Sequence, residues 1–115
     1  MVLLLHHPGC SKSRAAKAYL EERGISFQVR EYLEEPLGID ELRILKARLR
    51  RPVAEWLRWG EDAAKGLDHD AAEMALLQAI ADEPTLLQRP ILIIGDHAAV
   101  GRPGPEAFED ILRHA

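Results

Sequence analysis

The one cysteine of the chain lies in LLLHHPGCSKSR, residues 3 to 14, where an apolar run stops and a polar, helix-starting sequence begins. His6 and His7 precede Cys10, and Ser11, Ser13 and Arg14 follow it. A sulfur at that place sits near the free N–H groups and positive dipole end of a helix, which favours the thiolate. The thiolate is the nucleophilic form of cysteine, and a helix N-terminus is also a ready oxyanion site. One place is thus able to hold both a nucleophile and an anionic substrate. The plain alternative is a small residue filling a gap in the core; His, Pro, Gly, Ser and Arg make a poor core segment. His6 or His7 is placed to act as a neighbour that lowers the thiol pKa.

Other residue types narrow the chemistry further. A metal bound by His-His-x-x-Cys needs another ligand, and His69, His97 and His114 are scattered without finger-like spacing, so no metal is expected. Arg58 stands between Trp56-Leu57 and Trp59, which predicts a packed stem and an aimed guanidinium. Arg89 comes just before the ILII run at 91 to 94 and Arg102 just after a predicted hairpin. In open α/β sheets, strand ends are where sites form. Arg43, Arg48, Arg50 and Arg51 read as solvated charges on the outer face of a Leu-rich helix. The aromatic residues read as core rather than base-stacking platforms.

The elements that must position these groups follow from periodicity. Residues 2 to 5 are uniformly apolar, as in a buried strand. Ser11 or Ser13 is a candidate cap for a helix of about three turns with Ala15, Ala16, Tyr19 and Leu20 as its stripe, stopped by Gly24. Residues 25 to 30 alternate as a second strand, so strand, helix and strand predict a parallel pair. Asp40 is a candidate cap for a helix that buries Leu42, Leu45 and Leu49 and ends by Pro52. Two more helices are predicted, one carrying Val53, Trp56 and Leu57, the other capped by Asp70 with Met74, Leu77 and Ile80 as its stripe. The ILII run, a Gly95-Asp96 turn and AAV at 98 to 100 predict a hairpin. A last helix starts at Pro105 and buries Phe108, Ile111 and Leu112. The sum is α/β: a mixed four-stranded sheet built from strand-helix-strand plus hairpin-helix, in thioredoxin-like order. The chain is expected to be one domain over residues 1–115, with a helical insertion at about 39–83.

Bulk properties agree. The 115 residues are 47% hydrophobic, enough for a packed core. Lys+Arg of 15 against Asp+Glu of 19 gives a charge of -4, so nothing general draws the chain to nucleic acid or an anionic membrane. MVLLL is too short for a signal-peptide core and no later run approaches membrane-spanning length. With a lone cysteine and no export signal, a reducing cytoplasm is the expected location.

HHPGCSKSR, followed in order by LRW, QRPILII and GRP, resembles the glutaredoxin-coupled arsenate reductase family of the thioredoxin superfamily over nearly the whole chain. His6, Pro8, Cys10, Ser13 and Arg14 match the family's His-Asn-Pro-x-Cys-x-x-Ser-Arg motif, with His7 in place of Asn. The SKSR form of the loop is similar to the family's less characterised branch; its plasmid-borne members usually show Gly-Thr after the cysteine. The resemblance implies Cys10 as nucleophile, His6 as the residue that helps keep it ionised, and Arg58, Arg89 and Arg102 as oxyanion ligands. It makes Ser13 and Arg14 site-shaping residues, and makes Pro90 the superfamily's cis-proline facing the cysteine.

The implied reaction is reduction of arsenate to arsenite through an arsenate adduct on Cys10. With no second cysteine, the chain is unable to release product through an internal disulfide, so an outside thiol is required. The resemblance names that thiol as glutathione, a co-substrate rather than a bound cofactor, with a glutaredoxin regenerating the enzyme. Two rivals use the same residues. One is a glutathione-dependent oxidoreductase or transferase acting on another substrate. The other is a non-enzymatic, redox-related regulator that binds a protein such as RNA polymerase. Relatives of that last kind commonly carry Cys-x-x-Cys, where this chain has Ser13.

Overall fold

The computed structural model describes residues 1–115, which fall into two compact units, residues 1–35 with 89–115, and residues 36–88. The first unit holds β1 (Val2–His6), α1 (Ser11–Glu22), β2 (Gln28–Glu31), β3 (Ile91–Ile94), β4 (His97–Val100) and α4 (Glu109–Leu112). The second holds α2 (Ile39–Leu49) and α3 (Glu73–Asp82), with one-turn 3-10 segments at Val53–Trp56, Asp62–Ala64 and Pro84–Leu86. The second unit, residues 36–88, contains the helical stretch expected at about 39–83.

In the first unit the four strands form one sheet in the order β2-β1-β3-β4. β1 and β2 are parallel, with His6 opposite Glu31, whereas β3 runs antiparallel to β1, with Leu5 opposite Ile91, and β4 antiparallel to β3. Leu4, Leu5, Ile91 and Leu92 are at most 1% exposed, so the central strands are buried on both faces, which is why they read as continuous apolar runs. Leu4, Leu92 and Ile94 pack with Ala16 and Leu20 of α1 and with Phe108 and Ile111. Phe108 ends a 3-10 turn at Pro105–Phe108 that runs into α4, so the predicted last helix is a short composite. β2 starts three residues later than the alternation implies, because the Ile25 N–H donates to the Leu20 carbonyl and keeps that segment in the turn after α1.

In the second unit, α2 buries Leu42, Leu45 and Leu49 as the spacing predicts. Its N-cap is Gly38, not Asp40: the Glu41 carboxylate reaches back to the Gly38 N–H at 3.1 Å, and Asp40 lies in the first turn. The helix expected at 53 to 57 is a single 3-10 turn, because Leu57 pairs in extended form with Leu87, and Trp56 and Arg58 exchange backbone hydrogen bonds with Gln88 and Leu86. α3 buries Leu76, Leu77 and Ile80, and Met74 is half-exposed. The helix begins at Glu73, after a turn in which the Asp70 N–H donates to the Asp68 carboxylate at 2.9 Å, and at 3.6 residues per turn Met74 lies more than a quarter turn from the centre of the Leu76, Leu77 and Ile80 stripe.

Candidate active site

The site forms where β1 gives way to α1. The apolar strand ends at His6, Pro8 and Gly9 make a turn in which the Cys10 N–H donates to the His7 carbonyl at 3.0 Å, and α1 starts at Ser11. Cys10 itself is the N-cap, extended at φ -101 and ψ 124, and its carbonyl takes the first helical hydrogen bond from Arg14 at 3.0 Å. No side-chain oxygen takes the cap. Cys10 makes no side-chain cap hydrogen bond either, and the Ser13 and Lys12 N–H groups are left to favour a thiolate there.

Burial of Cys10 works against the thiolate, but the Ser13 N–H, a hydrogen bond from the Arg89 guanidinium, the Lys12 N–H and the Arg89 charge together outweigh it. The thiol pKa is therefore pulled below its ordinary 9.0. Arg89 also faces the Tyr32 hydroxyl, and its own pKa is raised: its burial is outweighed by Cys10 and Tyr32. The sheet register explains the meeting. The C-terminal ends of β1, β2 and β4 and the start of β3 share one end of the sheet, so the cysteine loop, Tyr32, Arg89 and Arg102 converge there.

Other candidates have definite partners. Ser13, which is fully buried, bonds the His6 Nδ1 at 2.7 Å and accepts from the His7 N–H at 3.0 Å. It is thus a strut between strand and helix and not the helix cap. Burial of His6, then the Lys17 charge, hold its imidazole below the ordinary 6.5 against the pull of Glu31, so it is neutral at neutral pH. The charge facing the sulfur is accordingly that of Arg89 and not an imidazolium. Arg14 Nη1 donates to the Pro8 carbonyl at 2.9 Å and braces the turn.

The Arg89-Pro90 peptide is cis, as the resemblance implies, and so is Arg102-Pro103, which nothing in the sequence announced. Arg102 Nε donates to the Arg89 carbonyl at 2.9 Å, and Lys12 Nζ to the Pro103 carbonyl at 2.9 Å. A run of polar contacts thereby ties Lys12, Pro103, Arg102 and Arg89 around Cys10. Arg58 belongs to the other unit, where its backbone N–H donates to the Leu86 carbonyl at 2.7 Å, and its guanidinium bonds Gln88 at 3.1 Å and lies 4.0 Å from Glu61. Its side chain is 24% exposed, so the stem is packed as Trp56 and Trp59 predict. No group of three or more His, Cys, Asp or Glu side chains is arranged to hold a metal, and no helix is long and apolar enough to cross a membrane.

The arrangement is a thioredoxin-like one, a cysteine at a helix N-terminus beside a cis-proline strand. Residues 5–111 match the model of the ArsC family, and the chain belongs to that family. A protein of Neisseria meningitidis serogroup A named arsenate reductase is 44% identical over 106 residues, 89% of this chain and 91% of that one. The solved structure of an arsenate reductase from Vibrio cholerae superposes with a TM-score of 0.87 at 38% identity, over 94% of this chain and 95% of that one. The global transcriptional regulator Spx of Enterococcus faecalis is a more distant match, 32% identical over 88% of this chain and 79% of its own length.

Proposed function

We propose that this protein reduces arsenate to arsenite, with Cys10 as the nucleophile and glutathione and glutaredoxin as outside reductants. The observation that carries the reading is Cys10 at the N-cap of α1, its thiolate favoured by the Ser13 and Lys12 N–H groups and the Arg89 guanidinium, in a chain whose relatives include named arsenate reductases. A tetrahedral dianion has the charge and acceptors to suit such donors. Arg89, Arg102 and Arg58 are assigned to the oxyanion, Arg58 and Arg102 on the family pattern.

The thiolate attacks arsenic, a sulfur–arsenic bond forms, and an arsenate oxygen leaves as water after taking protons. A glutathione thiol then adds to the arsenic with loss of a second oxygen as water. A glutaredoxin thiolate attacks the glutathione sulfur, and the electron pair of the arsenic–sulfur bond returns to arsenic, which becomes trivalent. Water then displaces Cys10, releasing arsenite and restoring the thiol. Across the cycle, arsenate and two outside thiols give arsenite, one mixed disulfide and one net water. Support for an outside thiol comes from the chain's single cysteine. His6 and Ser13 act as positioning residues that set the loop, and the reaction is placed in the cytoplasm, where thiol reductants are abundant.

The test is arsenate-dependent NADPH oxidation with glutathione, glutathione reductase and glutaredoxin, leaving out one component at a time. Turnover that needs both glutathione and glutaredoxin supports the reading in full. Turnover indifferent to glutaredoxin removes that partner. No arsenate turnover from a folded protein with a low-pKa thiol overturns the reading in favour of another thiol substrate or a partner-binding role.

A further inference from the structure

Tyr32 is completely buried at the end of the sheet where Cys10 sits. β2 stops at Glu31 opposite His6, and on the other side of β1, Leu5 is opposite Ile91. Continuing both registers puts Tyr32 and Arg89 on either side of His7, two strand spacings or about 10 Å apart at the backbone. Two long side chains span that gap. The Tyr32 hydroxyl oxygen is itself buried and faces the Arg89 guanidinium, which also hydrogen-bonds the Cys10 sulfur. A phenol that served packing alone would be equally served by Phe, and a buried hydroxyl carries a desolvation cost unless something polar answers it.

We propose that Tyr32 is a positioning residue whose hydroxyl holds the Arg89 guanidinium over the Cys10 sulfur, so that one arginine serves both the nucleophile and the incoming oxyanion. The oxyanion half rests on the reading of the site as an arsenate reductase; the sulfur half does not. An arginine with only the sulfur as anchor would sample several rotamers, and each departure would remove a hydrogen bond and a charge from the thiolate. Tyr32 fixes the fork without touching substrate.

The test is Tyr32→Phe, which deletes one oxygen and keeps the ring, read by the pH dependence of Cys10 alkylation with iodoacetamide. The midpoint is expected to rise by about half to one unit, which at neutral pH slows alkylation about three- to tenfold. KM for arsenate is expected to rise with it, while far-UV circular dichroism and a cooperative thermal transition stay as in wild type. A purely structural Tyr32 would not move the thiol midpoint of a folded protein, so an unchanged midpoint overturns the proposal. Arg89→Met supplies the second arm: alone it raises the midpoint, and adding Tyr32→Phe to it should change nothing further. A second, equal shift in the double variant would show that Tyr32 acts by another route. Should wild type fail to reduce arsenate, the alkylation arms still decide the matter, so the two failures are separable.

Discussion

Gly101→Ala probes the packing beneath the site. A Cβ built on Gly101 would lie 2.7 Å from Pro90 Cγ and 2.8 Å from Phe108 Cζ, with Phe108 Cε1 at 3.2 Å. Pro90 is buried, and Phe108 is wholly buried among Leu4, Ala16, Leu20 and Leu92, so neither has room to retreat. Gly101 has no left-handed φ, so the cost is contact alone. Overpacking of this kind costs about 1–3 kcal/mol, and at this chain length each kcal/mol lowers Tm by about 4 °C, for a total of about 4–12 °C. The displacement also reaches the chemistry: the Gly101 N–H donates to the Pro90 carbonyl at 2.8 Å, and Pro90 follows Arg89. Pushing Pro90 drags Arg89 off the sulfur, so the Cys10 alkylation midpoint should rise as Tm falls. Differential scanning calorimetry and pH-dependent alkylation on one preparation measure both. Gly60→Ala is the control, since nothing lies within 4 Å of its Cβ and its φ is ordinary; it should stay within about 0.5 kcal/mol of wild type. A Gly101→Ala protein with the Tm of the control would mean that Pro90 and Phe108 do have room to retreat.

Three further outcomes follow from the site. Ser13→Ala removes the partner of the buried His6 Nδ1 and one from the His7 N–H; it should cost about 1–3 kcal/mol in urea unfolding, with little change in the thiol midpoint because the backbone N–H of Ser13 remains. The His6 pKa is lowered by folding, so the unfolded chain binds more protons just below pH 6.5. Stability from this group is complete above that pH and is lost as pH falls toward the folded value, by at most about 1.4 kcal/mol per pH unit; urea midpoints measured on both sides should show the decline, and a His6→Gln variant should flatten it. If Arg58 is an oxyanion ligand, as proposed, Arg58→Ala should remove a charge-assisted interaction worth roughly 1.5–3 kcal/mol, so KM for arsenate should rise at least about tenfold while iodoacetamide alkylation of Cys10 is unchanged.

The placement of Cys10 was legible because the two signals involved are local: a buried strand announces itself as VLLL, and the following Pro-Gly turn leaves the next residue at a helix start. The hairpin was legible for the same reason, and with it the positions of Arg89 and Arg102 at strand ends. What escaped depended on contacts distant in sequence. Ser13 reads as a cap from its neighbours, and only the strand beside it reveals that His6 takes its hydroxyl. Tyr32 carries no signal of its own, since the polar group it answers lies 57 positions away, at Arg89. Lys12 looks like solvent-facing charge until the chain returns with Pro103. Met74 is exposed where burial was expected because the buried stripe of α3 runs through Leu76, Leu77 and Ile80, a helical phase that Met74 does not share. His6 ends β1 beside the cysteine loop, and its burial and the Lys17 charge leave it neutral, a balance that composition does not express.

In the proposed cycle Cys10 holds arsenic as a covalent adduct while outside thiols supply the electrons that reduce it. The most direct measurement is arsenic speciation during turnover with glutathione and glutaredoxin, comparing wild type with Cys10→Ser and counting arsenite formed against NADPH consumed. Wild type should form one arsenite per NADPH, and the variant none above background. Arsenite formed equally by the two proteins would contradict this cycle.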